Sequence, residues 1–274
     1  MTSTFRAALR TRRGRVGAAI VLLLVAATVG ASFIVPQDPL AVGSSRLAGP
    51  SASHPLGTDE VGRDMLSRIV FGGRSSLGAT FSALTLVVSL GVTLGSLAGF
   101  YRGWADALLM RITDVLLAVP TLVLTLAIVG LFRPGLQTVV LGLSAVWWIR
   151  YARLTRALVM TWRERPFVEA AAALGAGDVH VLRHHILPNV LAPVMVAATL
   201  DIGTLILAIA GLSFLGFGAQ PPAPEWGTMI SDGKNLLFTA PHVMLFPGLA
   251  VTLAVLGFNL LSDSLQELAA SDRM

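Results

Sequence analysis

SSLGATFSALTLVVSLGVTLGSLAGFY, residues 75–101, runs for twenty-seven residues without a charged side chain. It is long enough to cross the ~30 Å of hydrocarbon in a bilayer as a helix. Gly91, Gly95, Gly99 and Gly103 stand four residues apart in it and just beyond it. That spacing puts them on one helix face, where small residues let membrane helices approach closely. The stripe predicts tight packing and says nothing about a solute.

Outward from this run the composition agrees. Charged residues are 13% of the 274-residue chain and the mean hydropathy is +0.76. A water-soluble globule of this size lacks enough polar side chains here to cover its surface, so a soluble enzyme and a disordered chain are excluded. With no cysteine, disulfide frameworks, thiolate catalysis and cysteine-ligated metals are excluded too. The excess charge of +5 is almost all arginine and forms no single stripe, which fits cytoplasmic loops and not a nucleic-acid footprint.

Five further runs resemble the first. Val16 to Val35 is charge-free and follows Arg6, Arg10, Arg12, Arg13 and Arg15. Val29-Gly30-Ala31 also fits a signal cleavage site, but the run exceeds the 7–15 residues usual for a signal h-region, so a retained helix is preferred. The others are Val115 to Phe132, Leu136 to Ile149, Val190 to Gly218 with Asp201 inside it, and Val243 to Leu261. The fourth is short unless Arg150 and Arg153 snorkel, with Trp147, Trp148 and Tyr151 as an interfacial belt.

Basic residues set the orientation. With the N-terminus cytoplasmic, the inner side holds Arg6, Arg10, Arg12, Arg13, Arg15, Arg102, Arg111, Arg150, Arg153, Arg156, Arg163, Arg165, Arg183 and Arg273. The outer side holds Arg46, Arg63, Arg68, Arg74, Arg133 and Lys234. Fourteen against six predicts both termini inside.

The expected organisation is a basic cytoplasmic segment over 1–15, a first transmembrane helix over 16–36, and an extracytoplasmic segment over 37–74. A core over 75–262 follows, with spans 75–101, 112–132, 136–158, 190–218 and 243–261 and a cytoplasmic loop 161–188; a cytoplasmic terminus covers 263–274. Within 37–74, Thr58 is predicted to cap an amphipathic helix with Asp59 and Glu60 in its first turn. Val61, Met65, Leu66, Ile69 and Val70 would be its apolar face. Asp114 is expected to pair with Arg111.

Enzymatic signatures are absent. No phosphate-binding loop, nucleophile elbow or dinucleotide fingerprint occurs. His180, His184 and His185 lie close in sequence, but a zinc site needs a further ligand and shelter, so they read as a solvated or partner-facing patch. Asp201 is the one carboxylate deep inside a span, and two readings stay open. It could line a pathway, or with Gly203 it could mark a break in the helix.

Glu169-Ala170-Ala171-Ala172-Ala173-Leu174-Gly175-Ala176-Gly177 predicts a short helix ended by its glycines. Asp178 is expected to cap a second short helix to about His185, and Pro188 to reset the chain. Such a small-faced helix between two spans leaves room for another protein to pack closely.

This stretch resembles the Glu-Ala-Ala loop of ABC importer permeases. Glu169, Ala170, Ala171, Gly175, Leu187 and Pro188 fall on its pattern, with His185 where isoleucine is usual. His185-Ile186-Leu187-Pro188-Asn189 is similar to the dipeptide, oligopeptide and nickel branch of that family. So are His54-Pro55-Leu56-Gly57-Thr58-Asp59-Glu60-Val61-Gly62-Arg63-Asp64, Leu212 to Gly218 running into Gln220 to Gly227, and Asn259 to Asp263. The resemblance covers nearly the whole chain and is nearest to the C permease subunit.

The resemblance implies an all-α type I importer domain of six transmembrane helices, one N-terminal helix that wraps a partner plus a five-helix core. It implies that Glu169 to Gly175, with Ala172 among them, is a coupling helix seated on an ATPase subunit. The expected partners are a homologous permease subunit, two ATPase subunits, an extracytoplasmic substrate-binding protein and the lipid bilayer. ATP and magnesium belong to the ATPase subunits, with no cofactor in this chain. An ion-driven secondary transporter or channel is the rival, but it calls for paired intramembrane ionisable residues or an internal repeat. A scaffold without transport is a third class, which needs neither Asp201 nor an exposed alanine-glycine loop.

Overall fold

A computed structural model describes residues 11–35 and 37–271, with side chains described to residue 267. Arg6, Arg10, Pro36 and Arg273 lie outside the described residues. The helices run in the order α1 Arg12–Val29, α2 Ala31–Ile34, α3 Met65–Tyr101, α4 Gly103–Leu117, α5 Thr121–Val129, α6 Leu136–Arg163 and α7 Pro166–Ala173. Then come α8 Asp178–His180, a π-helical turn Val181–Ile186, α9 Leu187–Phe214, α10 Trp226–Gly233, a 3₁₀ turn Lys234–Leu236 and α11 His242–Ser271. The only β-pairing among the described residues is an isolated bridge between Thr58 and Asp64. Three stretches are long and apolar enough to cross a membrane: Met65–Tyr101, Asp178–Phe214 and His242–Glu267.

Two compact units divide the chain. One holds Ala83–Ala127 and Gly142–Thr199. The other holds 11–82, Ile128–Leu141 and 200–271.

In the second unit α1 lies along α11 of its own chain. Gly17 makes this possible, because a Cβ there would sit 2.7 Å from the Leu261 nitrogen. Gly257 does the same for Ile20, 2.7 Å from its own missing Cβ. Thr11 and Ser264 share a hydroxyl hydrogen bond of 2.9 Å, and Thr11 also caps α1 by accepting from the Gly14 N–H.

The expected amphipathic helix from Thr58 does not form. Thr58 is buried, donates to the Ser45 carbonyl at 2.7 Å and accepts the Ala48 N–H at 2.9 Å. Gly57 and Gly62 have φ of +76° and +82°, which fold 57–64 into turns. Asp64 is the residue that starts the helix, accepting from the Ser67 N–H at 2.8 Å and its hydroxyl at 2.6 Å. From there α3 runs unbroken for 37 residues, about 55 Å at 1.5 Å per residue. Arg68 on α3 reaches Asp59 at 3.3 Å, and His242 donates from Nε2 to the Thr58 carbonyl. Glu225 caps α10, taking the Gly227 and Thr228 N–H groups and the Ser76 hydroxyl.

Four other expectations change. The run 115–132 is not one straight span: α4 and α5 meet at 89°. Pro120 lacks an N–H and disfavours helix at the residue before it. Pro188 does not reset the chain, since Asp178–Phe214 is one helical stretch. The π turn before the proline widens the backbone to an i→i−5 bond, Leu187 N–H to Leu182 carbonyl, easing the crowding that a proline ring imposes. Asp178 is therefore the first helical residue, with Gly177 as its cap. Nor do Asp201 and Gly203 break α9, which is helical throughout Leu187–Phe214.

Candidate functional site: the exposed helix after α6

In the first unit α6 approaches α3 along the glycines of α3. A Cβ on Gly95 would meet the Ala152 carbonyl, with Thr155 Cβ at 2.9 Å. One on Gly91 would stand 2.9 Å from the Trp148 carbonyl, and one on Gly99 2.7 Å from the Arg156 carbonyl. Gly103 takes no part: a Cβ there meets nothing within 4 Å, and with φ +71° it opens α4 just past the turn at Arg102.

The close approach reassigns the residues expected at the membrane surface. Tyr151 is 1% exposed, in an apolar cluster with Val87, Phe100 and Val190, and is no part of an interfacial belt. Arg153 pairs with Asp114 and donates to the Thr113 hydroxyl at 3.0 Å. Asp114 thus takes its partner from α6 instead of Arg111 on its own helix. Arg156 pairs in the same way with Asp106, its Nη2 donating at 2.6 Å.

At the end of α6 the chain turns into α7. Arg165 is extended and Pro166 opens the helix, where its missing N–H costs nothing. Glu169 lies in the first turn, where its charge suits the helix dipole. The end is a Schellman motif. The Ala176 N–H donates to the Ala171 carbonyl at 3.1 Å, and the Gly175 N–H to the Ala172 carbonyl at 3.0 Å. Gly175 has φ +89°, the left-handed region that glycine enters without penalty.

What α7 buries is very little. Val168 is its only buried residue, packed with Phe100, Val159, Val181 and Ile186. Glu169, Ala170, Ala172, Ala173 and Gly175 are exposed, Ala171 is half-buried, and Leu174 is 89% exposed. Beside the helix lies a cleft of about 500 Å³ walled by Ala172 and by charges of both signs: Arg102, Arg163, Glu164, Glu169 and Asp178. His180 and His184 stack with ring centroids 4.3 Å apart, and no group of three metal-ligating side chains occurs among the described residues.

Asp201 is placed in the second unit. It is 4% exposed on α9, two residues before Gly203, whose missing Cβ leaves space for the Asn259 side chain on α11.

The family profile described as binding-protein-dependent transport system inner membrane component matches residues 91–272, from Gly91 through α7 and on to the end of α11. The chain belongs to that family. It is a membrane-embedded permease subunit of an ATP-binding cassette importer. Among its relatives, the dipeptide transport system permease protein DppC of Alkalihalophilus pseudofirmus is 44% identical over 90% of this chain and 80% of its own. The glutathione transport system permease protein GsiD of Pectobacterium atrosepticum is 42% identical over 90% and 83%. The nickel transport system permease protein NikC of Escherichia coli is 40% identical over 92% of both. Among solved structures, a chain of the MetNI methionine ABC transporter in inward-facing conformations has the same fold. It aligns with TM-score 0.55 and 22% identity over 75% of this chain and 97% of that one.

Sequence reasoning alone does not bring Arg102, Arg163 and Glu164 together at this site. Their only signal is charge at span ends, which fits loops equally well. Their juxtaposition depends on α3 and α6 packing side by side.

Proposed function

We infer that this permease forms half of a pathway for peptides or a similarly carried small solute, and that α7 is its coupling helix. A homologous permease completes the pathway, two ATPase subunits bind ATP and magnesium, and an extracytoplasmic binding protein delivers the solute. The relatives named for dipeptides, glutathione and nickel support a small, polar cargo. The reading has six spans with both termini cytoplasmic, α1 reaching toward the partner permease, and α7 on the cytoplasmic side. Asp201 is a pathway residue in it, since a carboxylate kept inside a span despite its cost in hydrocarbon points by default to a functional role. The three long apolar stretches and the bent α4–α5 pair support this frame.

The observation that carries the coupling role is the exposure of α7. A helix of eight residues that buries only Val168 gains little from its own chain. Its regular capping and its surface of alanines and Leu174 suit a second protein packing on it. When ATP closes the ATPase subunits, α7 is carried with them, and the permease pair rocks from inward-facing to outward-facing.

Gly175→Val tests this. Valine at φ +89° costs roughly 1–2 kcal/mol of backbone strain. Nothing lies within 4 Å of the new Cβ, so the effect is confined to how α7 ends. Solute uptake into vesicles should fall, while the isolated binding protein keeps its affinity for solute. Full uptake by Gly175→Val would remove the reading's support.

A further inference from the structure

The inner end of α7 has a seat of its own. Two residues before Arg165, Arg163 donates from Nη1 to the Phe100 carbonyl at 2.5 Å and lies over the Phe100 ring, 5.2 Å from its centroid. In the opposite direction, Arg102 donates from Nη2 to Glu164 Oε1 at 2.7 Å. Two crossed contacts thus tie the residues that lead into α7 to the last turn of α3. Arg102 adopts φ +55° and ψ −156°, a backbone conformation that a non-glycine residue enters only when its surroundings hold it there. Its Nε is buried without a hydrogen-bond partner among the described residues. The strain and the unpaired donor both fall at the point where α3 meets α7. Higher on α6, Arg156 and Arg153 make plain ion pairs to α4 with no such distortion.

We propose that Arg102 and Arg163 are positioning residues that fix the angle of α7 against α3, so that movement of the coupling helix is delivered to the transmembrane helices. This rests on the reading of α7 as the coupling helix and deepens it. Apart from the clamp, the contacts that hold α7 sit in its first turn, Val168 in the apolar cluster and the Phe167 ring edge-on to Trp162 and His185, so a helix without the clamp swivels about that end. It then stays on the ATPase while the permease no longer follows. An exposed ion pair adds little stability, so the clamp's value is in direction. Its loss should appear in coupling and leave assembly intact.

The test uses the assembled complex in proteoliposomes with its binding protein, reading solute transported per ATP hydrolysed. Arg102→Glu and Glu164→Arg, each alone, should lower that ratio roughly 5-fold or more. The double exchange should restore at least half of it, while complex yield and basal ATP hydrolysis stay near the parent in all three variants; a merely structural role would lower those as well. Arg102→Gly, which accepts the positive φ but removes the side chain, keeps the test open if a charge reversal fails to assemble, and it should lower the ratio likewise. Arg156→Lys reports on α4–α6 packing alone and should leave the ratio near that of the parent. Parent-like ratios in the Arg102 and Glu164 variants, or a loss that the double exchange does not repair, would overturn the proposal. A parallel cross-link from a cysteine placed at position 172, in the parent and in each variant, separates the two failures. If the parent cross-links to the ATPase and the variants stay coupled, only the clamp is wrong. If the parent does not cross-link, the coupling reading falls and the clamp with it.

Discussion

Gly95→Ala and Gly78→Ala add the same methyl group to the same helix, α3, and should have opposite effects. At Gly78 the new Cβ meets nothing within 4 Å. At Gly95 it is driven against the Ala152 carbonyl, with Ala152 C at 3.0 Å and Thr155 Cβ at 2.9 Å. Carbon atoms rest at about 3.5–4.0 Å, so α6 must retreat by roughly 0.5–1 Å. The obstacle is backbone, which cannot turn aside as a side chain does. Retreat also opens the contacts at Gly91 and Gly99 on the same face. Alanine gains about 1 kcal/mol of helix propensity over glycine at both positions, so that term cancels between them. What remains is the overpacking cost, about 1–3 kcal/mol. A difference near 2 kcal/mol separates two melting temperatures by roughly 4–8 °C for a chain of this size. Thermal unfolding of the detergent-solubilised protein reads it directly. Gly78→Ala should melt above the parent and Gly95→Ala well below Gly78→Ala. Melting temperatures within about 1 °C of each other would refute the claim that the glycine face sets the α3–α6 distance.

Two further outcomes follow from other parts of the molecule. Asp201→Asn should lower solute transport while the complex still assembles; loss of assembly in place of transport would make Asp201 a packing residue. Asp232 on α10 is raised above the ordinary 3.8 chiefly by burial, with Arg68, Arg63 and Lys234 opposing the shift and Asp59 adding to it. Its neutral form is favoured in the fold, so it contributes stability below the ordinary value and loses it as pH rises through the raised one. Melting of the parent should therefore fall relative to Asp232→Asn over that rise, and parallel pH profiles would show the carboxyl to be uninvolved.

Features set by a few neighbouring residues are legible in the sequence. The Schellman end of α7 needs only alanines followed by Gly175, and its hydrogen bonds span five residues at most. The glycine face on α3 is legible because helical period alone puts Gly91, Gly95 and Gly99 in line. Gly103 leaves that line because the period stops at the end of the helix, where Arg102 and Gly103 turn. Long-range identity is not legible. Trp147, Trp148, Tyr151 and Arg153 suit a bilayer interface as well as a protein core, and only the approach of α3 and α4 decides that Tyr151 is buried and Arg153 meets Asp114. Thr58 and Asp64 are both good caps by type. Gly57 and Gly62, by turning the chain between them, give the role to Asp64. Pro188 reads as a stop, yet a π turn absorbs it, a solution that no local propensity announces.

The central claim is that α7 packs on an ATPase subunit. Ala172 is exposed on α7 and lines the cleft beside it, and its side chain is small enough for a cysteine to replace it without strain. The chain has no other cysteine, so Ala172→Cys carries a unique thiol. A short thiol cross-linker applied to the assembled complex in native membranes should join position 172 to the ATPase subunit, and the yield should change when ATP is added. Cross-links confined to lipid or to the permease's own chain, with the ATPase present in the complex, would contradict the account.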